Sequence, residues 1–258
     1  MAGLFALYKF LYLFNKASPM KTKSILLLLT LLASHFLTSF AQTASEYYDQ
    51  GMAQFDSKNY NGAKDSYTKY LELKPDGWSA YYSRAKAKLA LNDFTGGIQD
   101  LNKYIEHITD LADAWYLRGY AKQELTDFES SINDLSKAIE LKPDHANAYF
   151  YRGYSKYSLE DMIAALPDLN KAIELGTTET VAAYFCRGHI RFGNDDLNNA
   201  IEDFNKTIEL KPDFAQAWFF RCLSKIILED KTGGCSDCSK ALELGHPLAA
   251  DAKAEYCK

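Results

Sequence analysis

Apolar residues recur along the chain at the spacing of amphipathic helices, and the helical segments come in pairs. In the clearest pair, the first segment carries apolar residues at Ala114, Leu117, Ala121 and Leu125. The second segment carries them at Phe128, Ile132, Leu135 and Ile139. Spacings of three and four residues give each helix one buried face. A short polar break at 126–127 separates the segments, so residues 112–145 are predicted to form one helix–turn–helix unit.

The same unit recurs before and after residues 112–145 at a nearly constant interval. One arginine per unit marks the interval, with steps of 34, 34, 35 and 34 residues: Arg84, Arg118, Arg152, Arg187 and Arg221. Self-similarity of this period indicates a solenoid, because a single helix pair cannot bury its own apolar face. We predict an all-α solenoid of six units, at 44–77, 78–111, 112–145, 146–180, 181–214 and 215–247, closed by a capping helix at 248–258.

The six units resemble tetratricopeptide repeats slot by slot. The first aromatic slot of that family holds Tyr47, Tyr81, Trp115, Tyr149, Tyr184 and Trp218. The small residue of the first helix, helix A, is Gly51, Ala85, Gly119, Gly153, Gly188 or Cys222. The small residue of the second helix, helix B, is Ala63, Gly97, Ser131, Ala165, Ala200 or Gly234. The resemblance implies a right-handed superhelix whose A helices line a concave groove, which holds a protein or peptide segment of a partner.

A second aromatic slot, directly after the first, is predicted to face this groove. Its occupants are Tyr48, Tyr82, Tyr116, Phe150, Phe185 and Phe219. Four residues later, on the same helix face, three units carry Tyr120, Tyr154 and His189. Tyrosine combines a rigid apolar ring with a hydroxyl, a mixture enriched at binding hot spots. Alternatively, the rings of the slot that begins with Tyr48 pack between neighbouring A helices and belong to the core.

The family's clamp for acidic C-terminal peptides is not expected in this groove. That clamp uses lysine and asparagine in the same slots, and Lys86 is the one basic residue that this chain has there. The resemblance therefore implies a groove that binds protein segments but does not carry over the acidic ligand.

An aspartate follows each of the five arginines by sixteen residues, at Asp100, Asp134, Asp168, Asp203 and Asp237. The first unit lacks both residues and has Gln50 and Ser66 in their slots. This joint occurrence predicts a partly buried ion pair between helices A and B of units two to six. The alternative is a row of arginines that grips an anionic ligand.

Four of the five cysteines lie in the last unit and the cap, at Cys222, Cys235, Cys238 and Cys257. Cys222 and Cys238 occupy slots that face each other, and Cys235 begins helix B, where the cap can reach it. We therefore favour the disulfides Cys222–Cys238 and Cys235–Cys257, which an oxidising compartment permits. The open alternatives are free buried thiols, a zinc site made of the four thiolates and a redox-active Cys235–Cys238 pair.

Residues 20–41 have the organisation of a secretory signal peptide. A basic start at 20–23 precedes an apolar run at 25–37, and Ser39 and Ala41 supply the small residues of a cleavage site. We expect translation to start at Met20 and cleavage to follow Ala41, as in an exported bacterial protein that is periplasmic or extracellular. The alternative is an uncleaved N-terminal membrane anchor, which would be the chain's only membrane contact.

Composition and motifs narrow the class of function. Residues 1–41 contain four lysines and no acidic residue, so the rest of the chain carries a net charge of −9 against −5 for the whole. An acidic body argues against nucleic acid as a partner, since phosphates require a basic face. No catalytic or phosphate-binding motif occurs in the sequence. We expect a non-catalytic scaffold without a cofactor or bound metal; the alternative is an accessory subunit or unrecognised enzyme of the cell envelope.

Overall fold

The computed structural model describes residues 43–257, and this range contains 13 α-helices and no strand. The helices are α1 Ala44–Asp56, α2 Tyr60–Leu73, α3 Trp78–Ala90, α4 Phe94–His107, α5 Ala112–Glu124, α6 Phe128–Leu141, α7 Ala146–Ser158, α8 Met162–Glu174, α9 Thr180–Gly193, α10 Leu197–Leu210, α11 Ala215–Ile227, α12 Lys231–Glu243 and α13 Ala249–Tyr256. Helices α1 to α12 form six A–B pairs, and α13 follows the last pair. The predicted all-α solenoid is therefore confirmed.

The polar breaks between helices A and B are tight turns with a fixed chemistry. In each turn one residue adopts a left-handed conformation with φ between 60° and 66°, at Lys58, Asn92, Thr126, Glu160, Asp195 and Glu229. In five of the six turns, an Asp or Asn side chain then accepts a hydrogen bond from a backbone N–H in the first turn of helix B. This N-cap satisfies a donor that the helix itself leaves unpaired.

Helices A and B of one repeat approach closely because small residues face large ones. At Gly119 of α5, an added Cβ would lie 2.7 Å from Cγ of Leu135 in α6. A larger residue at position 119 would require the Leu135 side chain to shift. Leu135 is fully buried, and the equivalent leucines Leu101 and Leu169 are fully buried too.

The stack of repeats curves toward its A helices. Each A helix packs against helix B of its own repeat, and each helix B packs against helix A of the next. Successive A helices also touch one another from α1 to α13, whereas successive B helices do not come comparably close within residues 43–257. The A helices therefore line the inner face of the array and the B helices line its outer face.

The array ends in the short helix α13, which covers the last pair. Ala249 and Ala252 of α13 are buried in one cluster with Phe219, Cys222 and Cys238. This arrangement matches the capping role that the sequence predicts for 248–258, because terminal repeats otherwise expose an apolar face.

The predicted signal peptide and the extension before it, at 1–41, lie outside the described residues. Between residues 43 and 257, no helix has both the length and the apolar character that a membrane-spanning segment requires.

Candidate functional site

The inner face of the A helices carries most of the aromatic residues that the sequence assigns to a groove, but two of them are core residues. Phe150 and Phe219 are only 3% and 6% exposed. The ring of Phe150 lies beneath Tyr151 and Tyr154, with centroid separations of 5.0 and 5.9 Å. The ring of Phe219 is stacked against His246 at 4.0 Å. The prediction that these two rings contact a partner is therefore wrong, since neighbouring rings cover both.

The other seven predicted groove residues are half-buried, so each keeps part of its side chain open to solvent. They are Tyr48, Tyr82, Tyr116, Tyr120, Tyr154, Phe185 and His189. At the N-terminal end of the face, the Tyr48 ring packs on Tyr67 and Tyr70 at 5.5 and 5.3 Å. The Lys86 amine lies over the rings of Phe55 and Tyr82, at 4.9 and 5.7 Å from their centroids. This end therefore presents one cation held on aromatic rings.

The middle of the inner face is a cluster of tyrosines on α5 and α7. The Tyr151 ring lies 5.1 Å from Tyr120 and 6.0 Å from Tyr116. Burial raises the pKa of Tyr116 to about 12, and the nearby Glu179 carboxylate contributes in the same direction. Burial, followed by smaller effects of Tyr116 and Glu179, also raises the pKa of Tyr151 well above its ordinary value. The hydroxyls of this cluster are therefore protonated hydrogen-bonding groups in a negatively charged environment.

An open apolar cleft adjoins the tyrosine cluster, between helices α7, α9 and the loops beside them. Its volume is about 480 Å³. The lining residues are Tyr154, Tyr157, Thr178, Glu179, Val181, Ala182, Phe185, Cys186, Lys211 and Phe214. Glu179 and Lys211 are the two charged residues of this lining. The cleft is thus a largely apolar concavity with one acidic and one basic group at its edge, which is the usual composition of a binding site.

Tyr157, one of the residues that line the cleft, forms a hydrogen bond with His189. The Tyr157 hydroxyl lies 2.9 Å from Nδ1 of His189. Burial lowers the pKa of His189 and raises the pKa of Tyr157 to about 12, so both groups are neutral near neutral pH. Burial also raises the pKa of the Cys186 thiol to about 12. A thiol held protonated in this way is a poor nucleophile.

The loop that carries Glu179 is tied to α7 by one asparagine. Oδ1 of Asn147 accepts hydrogen bonds from the Thr177 hydroxyl at 2.8 Å and from the Thr178 backbone N–H at 3.0 Å. The Thr177 hydroxyl oxygen in turn accepts a hydrogen bond from the backbone N–H of Glu179 at 3.2 Å. The backbone of this acidic residue is therefore held between the tyrosine cluster and the cleft.

Sequence reasoning missed Tyr151, Tyr157 and Phe214, although a local signal exists for two of them. Tyr157 follows Tyr154 by three residues, a spacing that brings two side chains to one helix face. Tyr151 directly follows the buried Phe150 and occupies a slot that holds Leu117 in the preceding repeat. Phe214 lies in a connecting loop at the N-cap of α11, where helical periodicity gives no guidance.

The five predicted arginine–aspartate pairs are present between helices A and B of repeats two to six. Each arginine donates to both carboxylate oxygens of its aspartate, and the aspartates are all buried. Each aspartate also binds a second cation on helix A: Lys88, Lys122, Lys156, Arg191 or Lys225. We call this set of five triads the arginine ladder. Every arginine of the ladder already binds a carboxylate of its own repeat through two hydrogen bonds, which disfavours the alternative that the arginines grip an anionic ligand.

Each arginine of the ladder also reaches the preceding repeat. Its third N–H group, on Nη1, donates to a polar side chain on the previous helix B: Thr68, Asn102, Ser136, Asn170 or Asn205. Its guanidinium lies 4.6 to 5.5 Å from the ring in the first aromatic slot of its own repeat. The ladder therefore connects consecutive repeats and also closes each repeat internally.

Both disulfides favoured by the sequence are present in the structure. Cys222 of α11 is bonded to Cys238 of α12, and Cys235 of α12 is bonded to Cys257 after α13. Cys186 is a buried free cysteine. With four thiols paired in this way, the zinc and free-thiol alternatives for the last repeat do not fit the structure. No other cluster of three or more His, Cys, Asp or Glu residues between 43 and 257 could hold a metal ion.

Comparisons with known proteins identify the repeats. Family models described as tetratricopeptide repeat match residues 48–114, 112–145 and 181–214, which together span just over half of the chain. No curated protein sequence matches the chain. The matched residues include all of repeats two, three and five.

Solved structures share the fold at low sequence identity. YrrB, described as a tetratricopeptide repeat protein with an unusual peptide-binding site, is 22% identical, with a TM-score of 0.65 over 74% of this chain and 100% of its own. PilF of Pseudomonas aeruginosa is 16% identical, with a TM-score of 0.67 over 82% and 97% of the two chains. A tetratricopeptide repeat protein from Parabacteroides merdae is 16% identical, with a TM-score of 0.62 over 80% and 82%.

Proposed function

Because this chain is a tetratricopeptide repeat protein, we propose that it is a non-catalytic exported scaffold that binds a segment of a partner protein on the inner face of its A helices. Proteins of this family generally act as interaction scaffolds. The peptide-binding site described for YrrB supports the assignment of a peptide ligand to this fold.

The observation that carries the proposal is the apolar cleft beside the tyrosine cluster. Tyr154, Phe185 and Phe214 offer it ring surfaces that are not covered by their own repeat. A partner side chain that entered the cleft would remove these rings from water and would gain roughly 25 cal/mol per Å² of apolar area. The neighbouring tyrosine hydroxyls can orient the partner's backbone, because each can donate and accept a hydrogen bond.

Replacing Tyr120 and Tyr154 together by alanine is expected to weaken partner binding at least tenfold, which is about 1.4 kcal/mol. Both changes remove ring surface from the inner face, at the tyrosine cluster and at the cleft. Neither residue belongs to the arginine ladder, so helical content is expected to remain close to that of the wild type. Binding is measured after a photo-crosslinking residue at position 211, an exposed residue of the cleft lining, has identified the partner from the envelope fraction.

Tyr256→Ala is the matched control, because this tyrosine lies exposed on α13, away from the inner face. A photo-crosslinking residue at position 137 of α6, on the outer face, gives the corresponding control for partner identification. Unchanged binding by a folded Tyr120→Ala, Tyr154→Ala double variant would contradict the proposal and would move the binding surface to the outer face or to the cysteine-rich end.

The proposal of export rests on the signal-peptide pattern of residues 20–41. The two disulfides near the C-terminus are consistent with it, because disulfides persist in oxidising compartments. N-terminal sequencing of the protein from the producing cell is expected to begin at Gln42 or its cyclised form. A mature protein that begins at Met1 or Met20 would contradict cleavage and would favour the membrane-anchor alternative.

A further inference from the structure

Between residues 43 and 257, the inner face around the cleft holds three carboxylates that form no ion pair with a lysine or arginine. Asp113 contacts Nε2 of His145 at 3.4 Å, and burial lowers the pKa of that histidine, so the imidazole is neutral near neutral pH. Glu124 is exposed and Glu179 is half-buried. Among the described residues, the one polar side-chain contact to the Glu179 carboxylate is a long hydrogen bond of 3.4 Å from the Thr178 hydroxyl. The surface between α5 and α9 therefore has an unbalanced negative charge.

These three carboxylates differ from those of the arginine ladder and of the exposed pairs on the B helices, which are bound to cations. The ladder aspartates each bind two cations, and exposed pairs such as Lys137–Glu140 and Lys171–Glu174 join neighbouring turns of the B helices. The three inner-face carboxylates instead lie among tyrosine rings, whose negative π faces also attract cations. The carboxylates and the rings thus favour the same kind of ligand group.

The position of Glu179 links the charge to the cleft. Glu179 lines the cleft directly, and its electrostatic effect also reaches Tyr116, Tyr120 and Tyr151 of the tyrosine cluster. Asn147 holds the backbone of its loop through Thr177 and Thr178. A ligand that filled the cleft would therefore bring its adjoining residues next to a carboxylate whose backbone is already fixed, at little further cost in ordering.

We propose that the occupant of the cleft is a basic, amphipathic segment of a partner protein, which inserts a large apolar side chain into the cleft and directs a neighbouring lysine or arginine toward Glu179 and the tyrosine rings. This inference rests on the proposed function and adds the chemical class of the partner. The acidic charge of the body accelerates association with such a segment, because complementary charges steer the encounter. Lys211, which also lines the cleft and has its amine over the Phe214 ring, disfavours a second basic residue beside it.

The probe for this proposal is a random peptide library panned on the immobilised full chain. Peptides that are retained are expected to pair Leu, Ile, Met, Phe or Trp with a nearby Lys or Arg. The tightest peptide is then labelled with fluorescein, and its binding is measured by fluorescence anisotropy. Glu179→Gln is expected to weaken binding at least tenfold and to flatten its dependence on salt, because a direct charge pair is lost. Glu129→Gln, an exposed carboxylate on the first turn of α6, is the matched control and should bind like the wild type.

A charge exchange separates this inference from the proposed function. A peptide whose basic residue is replaced by glutamate should no longer bind the wild-type protein. The same peptide should bind the Glu179→Lys variant, because the charges are then complementary again. The library could instead retain acidic or uncharged peptides that bind the Glu179→Gln variant as they bind the wild type but bind the Tyr154→Ala variant more weakly. That result would overturn the proposal of a basic partner and would still support binding in the groove. A library that yields no peptide sensitive to Tyr154→Ala would overturn the groove itself.

Discussion

Asp168→Ala is expected to lower the free energy of unfolding by about 3–5 kcal/mol, the usual cost of removing one partner from a buried ion pair. The Asp168 carboxylate is buried and accepts hydrogen bonds from Arg152 at 2.6 and 2.9 Å and from Lys156 at 2.7 Å. The alanine variant leaves two cations side by side without a counter-charge. Urea unfolding followed by circular dichroism measures the loss.

Arg152→Ala is expected to cost less, about 1.5–3 kcal/mol, the value of hydrogen bonds to a charged group. Sequence alone would assign it the full cost of a stranded carboxylate, but Lys156 remains bound to Asp168 in this variant. The order of the two effects is thus a direct test of the second cation.

Glu174→Ala is the control for both variants, because Glu174 lies on the same helix in an exposed pair with Lys171. Exposed pairs contribute at most about 1 kcal/mol. If Asp168→Ala does not fold, Asp168→Asn keeps the shape of the side chain and allows the same comparison. Equal losses for Asp168→Ala and Glu174→Ala would show that the ladder contributes nothing beyond surface pairing.

Removing the disulfide Cys235–Cys257, by serine at both positions, is expected to release α13 from the last repeat. The chain-entropy model gives about 3 kcal/mol for a loop of this size, and the sequence separation is 22 residues. Without the disulfide, α13 keeps only Ala249 and Ala252 as buried contacts. A helix of eight residues is unstable on its own in water, so amide hydrogen exchange along α13 should become fast.

The comparison variant replaces Cys222 and Cys238 by alanine. It removes the disulfide inside repeat six but leaves Cys257 attached to α12. Its unfolding free energy should fall, while α13 should exchange more slowly than in the Cys235→Ser, Cys257→Ser variant. Equal exchange of α13 in both variants and in the wild type would mean that packing alone holds the cap.

The helices and the first cation of each triad follow from the sequence because their signals are local or repeated. Apolar spacing identifies both helices of every repeat, and the joint presence of Arg and Asp in five repeats identifies their pairing. The second cation also has a periodic signal, because a lysine or arginine follows each ladder arginine by four residues, but its spacing alone does not show that it shares the same aspartate. The structure brings the two cations to the same carboxylate only when helices A and B cross at close range.

The two wrong predictions of groove residues, Phe150 and Phe219, also have a cause that lies in tertiary packing. Phe150, Phe185 and Phe219 occupy one slot of the repeat and have the same periodicity. Their burial differs because their neighbours differ: His246 from the loop before the cap covers Phe219, whereas Phe185 borders the cleft. The cleft itself depends on the small side chain of Ala182, at a position held by Asp113 and Asn147 in the two preceding repeats. A single small residue such as Ala182 gives no periodic signal in the sequence, so the cleft cannot be predicted from it.

The arginine ladder has a consequence for how an array of this kind changes length. Each arginine needs only the aspartate and second cation of its own repeat and a small polar side chain, Thr, Ser or Asn, on the previous helix B. Each repeat from the second to the sixth contains its own arginine, aspartate and second cation, and it follows a repeat whose helix B carries the small polar side chain. An internal duplication or deletion of a whole repeat would therefore leave no buried charge unmatched. The first repeat, which has a neutral Ser66–Gln54 hydrogen bond in place of the ion pair, starts the series without an unpaired charge. The gene could therefore gain or lose whole repeats, and with them binding surface on the inner face, while every buried aspartate of the arginine ladder keeps its cations.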